Sequence, residues 1–342
     1  MHPYSKPHLS YAGQVERLSA RGLDCGDRAT AERALEHHGY YRLGAYLYPF
    51  RRLLLDHEPR ETAHQYRGDD FVAGATLSAA LELARFDAKL RSVVLEGLGT
   101  FETVLRARVA YVLGQRDVFG HANAGALGPR AADRPPQPYQ SEYATQHEML
   151  LGAIEKQLTK AASEDFLQHF RAKYAKPEPI WLVLETVDFG TLVRLYRLLH
   201  RDDQNAVART FGITDGTRLV GAFQGFNVIR NQCAHHTRLW NRRIPQTLAT
   251  LAPGVLANGA DSLDQRGDRD RLYGYMALLA YMLRATAPDI QWPASLKTQL
   301  LKITRIPGVG LGDMGCPPDF ADFPIWRVGN QSVQCHARAR PA

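Results

Sequence analysis

The chain is predicted to be mostly α-helical, and three observations carry that prediction. Apolar residues recur at spacings of three and four through most of the sequence. Alternating apolar and polar runs, which mark half-buried strands, are scarce. Ser, Thr or Asp precedes several periodic stretches, and Gly or Pro follows them, as helix caps and stops do. The composition is that of a globular protein: 342 residues, 45% apolar and 23% charged. It excludes wholesale disorder, collagen and a disulfide scaffold. The length allows about two domains, although an all-helical fold can absorb it as one.

Taken in order, Ser10 is placed to cap a helix carrying Val15 and Leu18, with Gly22 to stop it. Asp27 or Thr30 opens a second helix through Leu35, ended by Gly39. An aromatic segment follows with Tyr40, Tyr41, Tyr46, Tyr48 and Phe50, closed by Pro49. The longest periodic stretch covers residues 76–113, with Leu77, Leu90, Leu98, Phe101, Leu105 and Val109 on one face. Glu102 and Arg106, four apart, support it as a helix pair. Gly97 and Gly99 invite a bend or break. Residues 113–140 are rich in Gly and Pro and read as a loop or insertion. Helices resume over residues 141–174, then break at Lys176-Pro177-Glu178-Pro179. One helix is expected over 181–199, with Gly190 able to interrupt it, another over 219–240 and another over 272–283. From Pro307 the tail reads as irregular. The resulting organisation is an N-terminal helical extension (1–75), a helical domain (76–305) and an irregular C-terminal tail (306–342).

The formal net charge is +7. A moderate basic excess suits attraction to phosphates without proving it. Cys25, Cys233, Cys316 and Cys335 form no CxxC pair, which argues against a cysteine-built zinc site and fits a reducing compartment. No apolar stretch follows the N-terminal charges, and the most apolar run, 272–283, is too short to span a bilayer. The expectation is a cytoplasmic protein with no membrane partner. Gly310-Leu311-Gly312-Asp313-Met314-Gly315 matches GxGxxG, but Pro307 precedes it and Cys316-Pro317-Pro318 follows. A dinucleotide site needs a buried strand before and a helix after, so this string reads as a turn. The carboxylates suggest no metal cluster. Asp202, Asp203, Asp268 and Asp270 read as solvated helix ends. Neither a metal nor a cofactor is expected.

The segment from Phe226 to Arg242 is the most informative. Val220, Phe223, Phe226 and Ile229 give it an apolar face. On a continuous helix Asn227, Arg230, Asn231, His235 and Arg238 would fall within about 140° of one another. Arg230 and His235 mark the two edges of that arc, so one helix brings both to one phosphate only through long side chains or a distortion. A second copy across a two-fold axis would make a shared cleft easier. Such a face suits phosphodiester cleavage without metal. Imidazole, whose ordinary pKa is about 6.5, exchanges protons with a ribose hydroxyl or a leaving oxygen. Guanidinium is a fixed bidentate donor to non-bridging phosphate oxygens. Asn231 can orient either group. Arg238, Arg242 and Arg243 downstream, and Arg194, Arg197 and Arg201 along one expected helix, offer a phosphate path or simply a solvated face. Tyr40, Tyr41 and Tyr46 can stack on unpaired bases or pack in a core.

Arg230-Asn231-x3-His235 resembles the Rx4–6H motif of the HEPN superfamily. The longer string Arg-Asn-x-Cys-Ala-His-His-x-Arg-Leu-Trp-Asn, ending at Asn241, resembles the signature of the Abi family, the abortive phage infection proteins of the AbiD/AbiF type. Other blocks agree in order: Tyr40-Tyr41-Arg42-Leu43-x2-Tyr46, Phe86-Asp87-x2-Leu90-Arg91, Phe101-Glu102-x3-Arg106, Pro179-Ile180-Trp181, Phe189-Gly190-Thr191-Leu192 and Met314-Gly315-x-Pro317. The resemblance covers roughly residues 6 to 326, and departs from the pattern at Cys316, where an aromatic is expected. It implies a HEPN-like helical bundle, frequently dimeric, and metal-independent RNA cleavage by a toxin-like effector of phage defence, with a partner RNA as a possible control. By the resemblance Arg230 and His235 are the catalytic pair and Asn231 the polar position, with His236 a rival base. Asn227, Arg194, Arg197, Arg238, Arg242 and Arg243 are the expected RNA contacts. The same face would serve a non-catalytic RNA-binding module.

Overall fold

The computed structural model describes residues 7–62, 65–249 and 269–327. Its described residues form twelve α-helices and one two-stranded sheet, so the mostly α prediction holds. They divide into two compact units. One contains the chain up to Arg91 together with Thr298–Asp313, and the other contains Ser92–Lys297 and the chain from Met314.

In the first unit, local cap chemistry sets the boundaries. Ser10 accepts from the Gly13 amide at 3.2 Å and opens α1 (Tyr11–Ser19), whose Val15 and Leu18 are buried. Asp27, not Thr30, caps α2 (Arg28–His38), accepting from the Thr30 amide at 2.9 Å. Gly39 has φ 76°, a value that only glycine adopts at little cost, and it separates α2 from α3 (Tyr40–Leu47). Strands β1 (Arg51–Leu53) and β2 (Arg67–Phe71) then pair antiparallel, with Arg51 opposite Phe71. The sequence did not predict this hairpin, because Arg-Gly-Asp-Asp-Phe shows no apolar alternation. Ion pairs help fix it: Asp69 meets Arg21 at 2.6 Å and Arg51 at 3.3 Å.

The long helix α4 (Leu77–Arg116) runs 40 residues without the break that Gly97 and Gly99 suggested. Gly97 instead gives room to Trp292, whose indole a Cβ there would overlap. The Trp292 indole N–H donates to the Val93 carbonyl at 2.6 Å. In the first unit α4 also carries a buried ion pair, Asp87 with Arg91. The Tyr46 hydroxyl donates to Asp87 at 2.7 Å. Burial, then the neighbouring Asp87, push the Tyr46 hydroxyl up to about 12. Tyr46 is therefore a core residue and no stacking platform, whereas Tyr41 is 96% exposed.

The second unit continues through 3-10 turns at Ala124–Ala126, Pro129–Ala132 and Tyr139–Ser141. Helix α5 (Gln146–Lys160) starts later than residue 141, with Thr145 as its cap, and α6 (Asp165–Lys173) follows after a gap. The single helix expected over 181–199 is two, α7 (Ile180–Thr186) and α8 (Phe189–Leu198). The break falls at Val187-Asp188, and Asp188 caps α8 by accepting from the Thr191 amide at 2.7 Å. Arg201 belongs to a further helix, α9 (Arg201–Thr210), not to the helix of Arg194 and Arg197. Asp203 in its first turn is not solvated: it is buried and paired with Arg116 at 2.6 Å. Asp270 is paired with Arg243, and Asp268 lies outside the described residues.

Helix α10 (Leu219–Ala234) packs on α8 and α11 (Leu272–Thr286). Helix α12 (Trp292–Leu301) follows. Phe101 of α4, fully buried, sits among Phe211, Phe223 and Phe226 at ring-centroid distances of 5.1, 5.1 and 5.2 Å, with Phe189 at 6.2 Å. These rings join α4, α8 and α10 and the turn after α9. Between Pro307 and Arg327 the described residues form only short 3-10 turns, yet Phe320 and Trp326 there are buried and in edge contact at 6.0 Å. The GxGxxG string is a 3-10 turn at Leu311–Met314 with no α-helix after it among the described residues. Cys25, Cys233 and Cys316 form no disulfide with one another, and Cys335 lies outside the described residues. No helix among the described residues is long and apolar enough to cross a membrane.

Gly225 allows α10 to approach α11, because a Cβ there would overlap the Tyr275 ring. Gly225→Ala is expected to lower stability by about 1–3 kcal/mol, as overpacking does, measured by urea unfolding; an unchanged midpoint would contradict this close approach.

Candidate functional site

The site is built where α10 ends. The helix stops at Ala234, six residues before the expected end at Trp240. His235 is the C-cap, and His236 adopts the left-handed conformation with φ 54°. The His236 amide donates to the Cys233 carbonyl at 3.1 Å, and the Thr237 amide donates to the Gln232 carbonyl at 3.0 Å. These two bonds make a Schellman motif, with histidine in the position usually held by glycine. The chain reverses there, which buries Leu239 and Trp240. Arg238 therefore lies beyond the helix and does not share its face. Asn241, also left-handed at φ 48°, accepts from Arg271 at 2.7 Å. Arg243 pairs with Asp270 at 2.5 Å, which ties this segment to the start of α11.

Upstream, Asn227, Arg230 and Asn231 lie beside the buried Phe223 on the helix wheel, at the edge of the core, and are held at several points. Arg230 is half-exposed. Its Nε lies 3.9 Å from a Glu102 carboxylate oxygen, and its Nη1 donates to Asn231 Oδ1 at 3.3 Å. Its Nη2 has no hydrogen bond among the described residues. Glu102 also accepts from Arg106 at 2.8 Å. Arg106 in turn donates to the carbonyls of Leu184 and Val187, where α7 ends. Asn227 sits at the first turn of α8: a Cβ on Gly190 would lie 3.3 Å from its amide nitrogen and 3.5 Å from Asp188.

His235 and His236 are both exposed. Helix geometry separates Arg230 from His235 by about 140° and about 7.5 Å along the axis. His235 is exposed, whereas Arg230 is half-exposed and turned toward Glu102. Of the expected RNA contacts, Arg242 and Arg243 are exposed and Arg238 is half-buried. Arg194 and Arg197 are half-buried on α8, a narrow polar stripe on a helix otherwise packed on several sides. The residues missing from the sequence-based site are Glu102, Arg106 and Asp188. The first two looked like a helix-supporting pair, and only their distant partners reveal more.

The chemistry available is acid–base and electrostatic. A helix C-terminus repels a phosphate by about 0.3–1 kcal/mol. Charge-assisted hydrogen bonds from guanidinium are worth about 1.5–3 kcal/mol each. A single such bond from Arg230 Nη2 would exceed that repulsion. No group of three or more His, Cys, Asp or Glu among the described residues could hold a metal ion.

A helical protein whose polar site lies at the C-terminus of α10 is thus defined. Residues 33–241, more than half of the chain, match the sequence profile of the Abi-like protein family, and the chain belongs to that family. It is a protein of the abortive-infection type. No curated protein and no solved structure matches it.

His236 sits in a conformation that costs a residue with a Cβ about 1–2 kcal/mol. His236→Gly is expected to be more stable than His236→Val by about that amount in chemical denaturation; equal stabilities would contradict the left-handed cap.

Proposed function

We propose that this chain is a HEPN-type, metal-independent endoribonuclease, acting as a toxin-like effector in abortive phage infection. The observation that carries this reading is the placement of the Arg-Asn-x3-His string. Its imidazole is exposed at the C-cap of α10, and its guanidinium, one turn and a half upstream, keeps a free donor edge.

In the reaction His235 takes the proton of a ribose 2′-hydroxyl, and the oxygen attacks the adjacent phosphorus. The new O2′–P bond forms as the P–O5′ bond breaks, and the departing oxygen is protonated from solvent or a second imidazole. Arg230 neutralises the charge that builds on the non-bridging oxygens. Asn231, bonded to Arg230, keeps that guanidinium oriented. The products carry a 2′,3′-cyclic phosphate and a 5′-hydroxyl. His236 is the rival base. Asn227, Arg194, Arg197, Arg238, Arg242 and Arg243 would contact the RNA along its path. The arc between Arg230 and His235 is wide for one subunit, which favours a homodimer that pairs them across a two-fold axis. The setting is cytoplasmic, and the partner is RNA as substrate or regulator.

A second reading has a specific observation behind it. Arg230 faces Glu102, within a network that also anchors α7. A guanidinium so engaged suits a non-catalytic module that holds RNA. RNA cleavage in the presence of EDTA separates the two. The nuclease predicts cyclic-phosphate products from wild type, and a loss of about 10²–10⁴-fold in His235→Ala with binding retained. Loss in His236→Ala alone would move the base to His236. Binding without cleavage by wild type would leave only the module.

A further inference from the structure

The first unit carries a cluster of its own at the junction of α2, α3 and α4. Tyr41, in the first turn of α3, is 96% exposed, the most exposed large side chain of the apolar class among the described residues. A single exposed tyrosine is ordinary. Its surroundings are less so. Arg42 is exposed beside it, and His37 and His38 end α2, their rings edge to face at 4.8 Å. Arg85 on α4 is exposed and close enough to act on His38. Lys89, one helical turn further on, is exposed as well. Partial burial, then the charges of His37, Arg42 and Arg85, hold the His38 imidazole below its ordinary value. Every charge named there is cationic. Glu36 and Glu82 are exposed on the same helices, yet neither is among the charges that shape His38.

We infer that this corner is a binding site for single-stranded RNA, in which Tyr41 stacks on an unpaired base and Arg42, Arg85 and His37 take the flanking phosphates. The ring is exposed in the first turn of α3, which Gly39, at φ 76°, joins to the histidines that end α2. Stacking on a protruding ring requires a base that is not already paired, which selects single strands over duplex. A neutral His38 can donate or accept a hydrogen bond at a base edge or ribose. The site lies in the first unit, whereas the α10 terminus lies in the second. Its ligand class rests on the RNA reading above, but its residues take no part in cleavage.

The test is fluorescence anisotropy of the full chain with a short labelled 2′-O-methyl oligouridylate, which lacks the hydroxyl that cleavage needs. Tyr41→Ala is expected to weaken binding by about tenfold or more, the usual loss of one stacking partner, and Tyr41→Phe to restore it. Arg42→Gln with Arg85→Gln should reduce the slope of log affinity against log salt by about 1.4. Circular dichroism of each variant checks that the fold is kept. Equal affinities of wild type and Tyr41→Ala would overturn the inference, as would polyglutamate competing as well as the oligonucleotide, or a wild type that does not bind. Cleavage of unmodified RNA is scored in parallel. Intact cleavage with an indifferent Tyr41→Ala defeats the corner and spares the nuclease, and lost binding in Tyr41→Ala with no cleavage by wild type does the reverse.

Discussion

The burial of Phe101 is the constraint on which the second unit depends. Its ring meets Phe189, Phe211, Phe223 and Phe226, so it fixes α4 against α8 and α10 at once. A buried aromatic side chain of this kind is worth about 3–5 kcal/mol against truncation. The next residue along α4 is Glu102, about 100° further round the helix. With Phe101 locked, Glu102 is carried to the edge of the core, where its carboxylate lies between Arg106 and Arg230. Core and site are thus set by adjacent residues. A slip of α4 would move both.

The electrostatics of the site follow from that placement. A half-buried carboxylate between two guanidiniums is well compensated, while an isolated one would be costly. Arg106 is committed to the carbonyls that close α7. Arg230 is held more loosely, at 3.9 Å, and keeps Nη2 for another acceptor. Glu102 thus holds the guanidinium at the edge of the core and leaves its Nη2 unengaged. The first unit repeats the theme with a different outcome. Asp87 and Arg91 are sealed inside with Tyr46, so the same pairing there is purely structural.

How much was legible in the sequence depended on how local the cause was. The cap at Ser10 and the stop at Gly39 act within one turn and could be read, and the second cap was narrowed to Asp27 or Thr30. The long periodicity of α4 could be read too, but not the purpose of Gly97, which depends on Trp292 far along the chain. The end of α10 was misjudged because its left-handed position is filled by His236 instead of the glycine that would signal it. The apolar periodicity over 181–199 hid the break at Asp188, whose capping carboxylate was visible but not decisive. The polar hairpin had no apolar alternation to show, since ion pairs to Asp69 support it. Of the candidate site, Arg230, Asn231 and His235 stood out through their spacing. Glu102 did not, because its partner Arg230 lies more than a hundred residues away, and only packing around Phe101 brings them together.

The most direct test is a structure of the full chain bound to a 2′-O-methyl RNA that cannot be cleaved. A phosphate within hydrogen-bonding distance of Arg230 and of the His235 or His236 imidazole, from one subunit or from two, is the predicted result. RNA seated away from the end of α10, with Arg230 still turned only to Glu102 and Asn231, would contradict it.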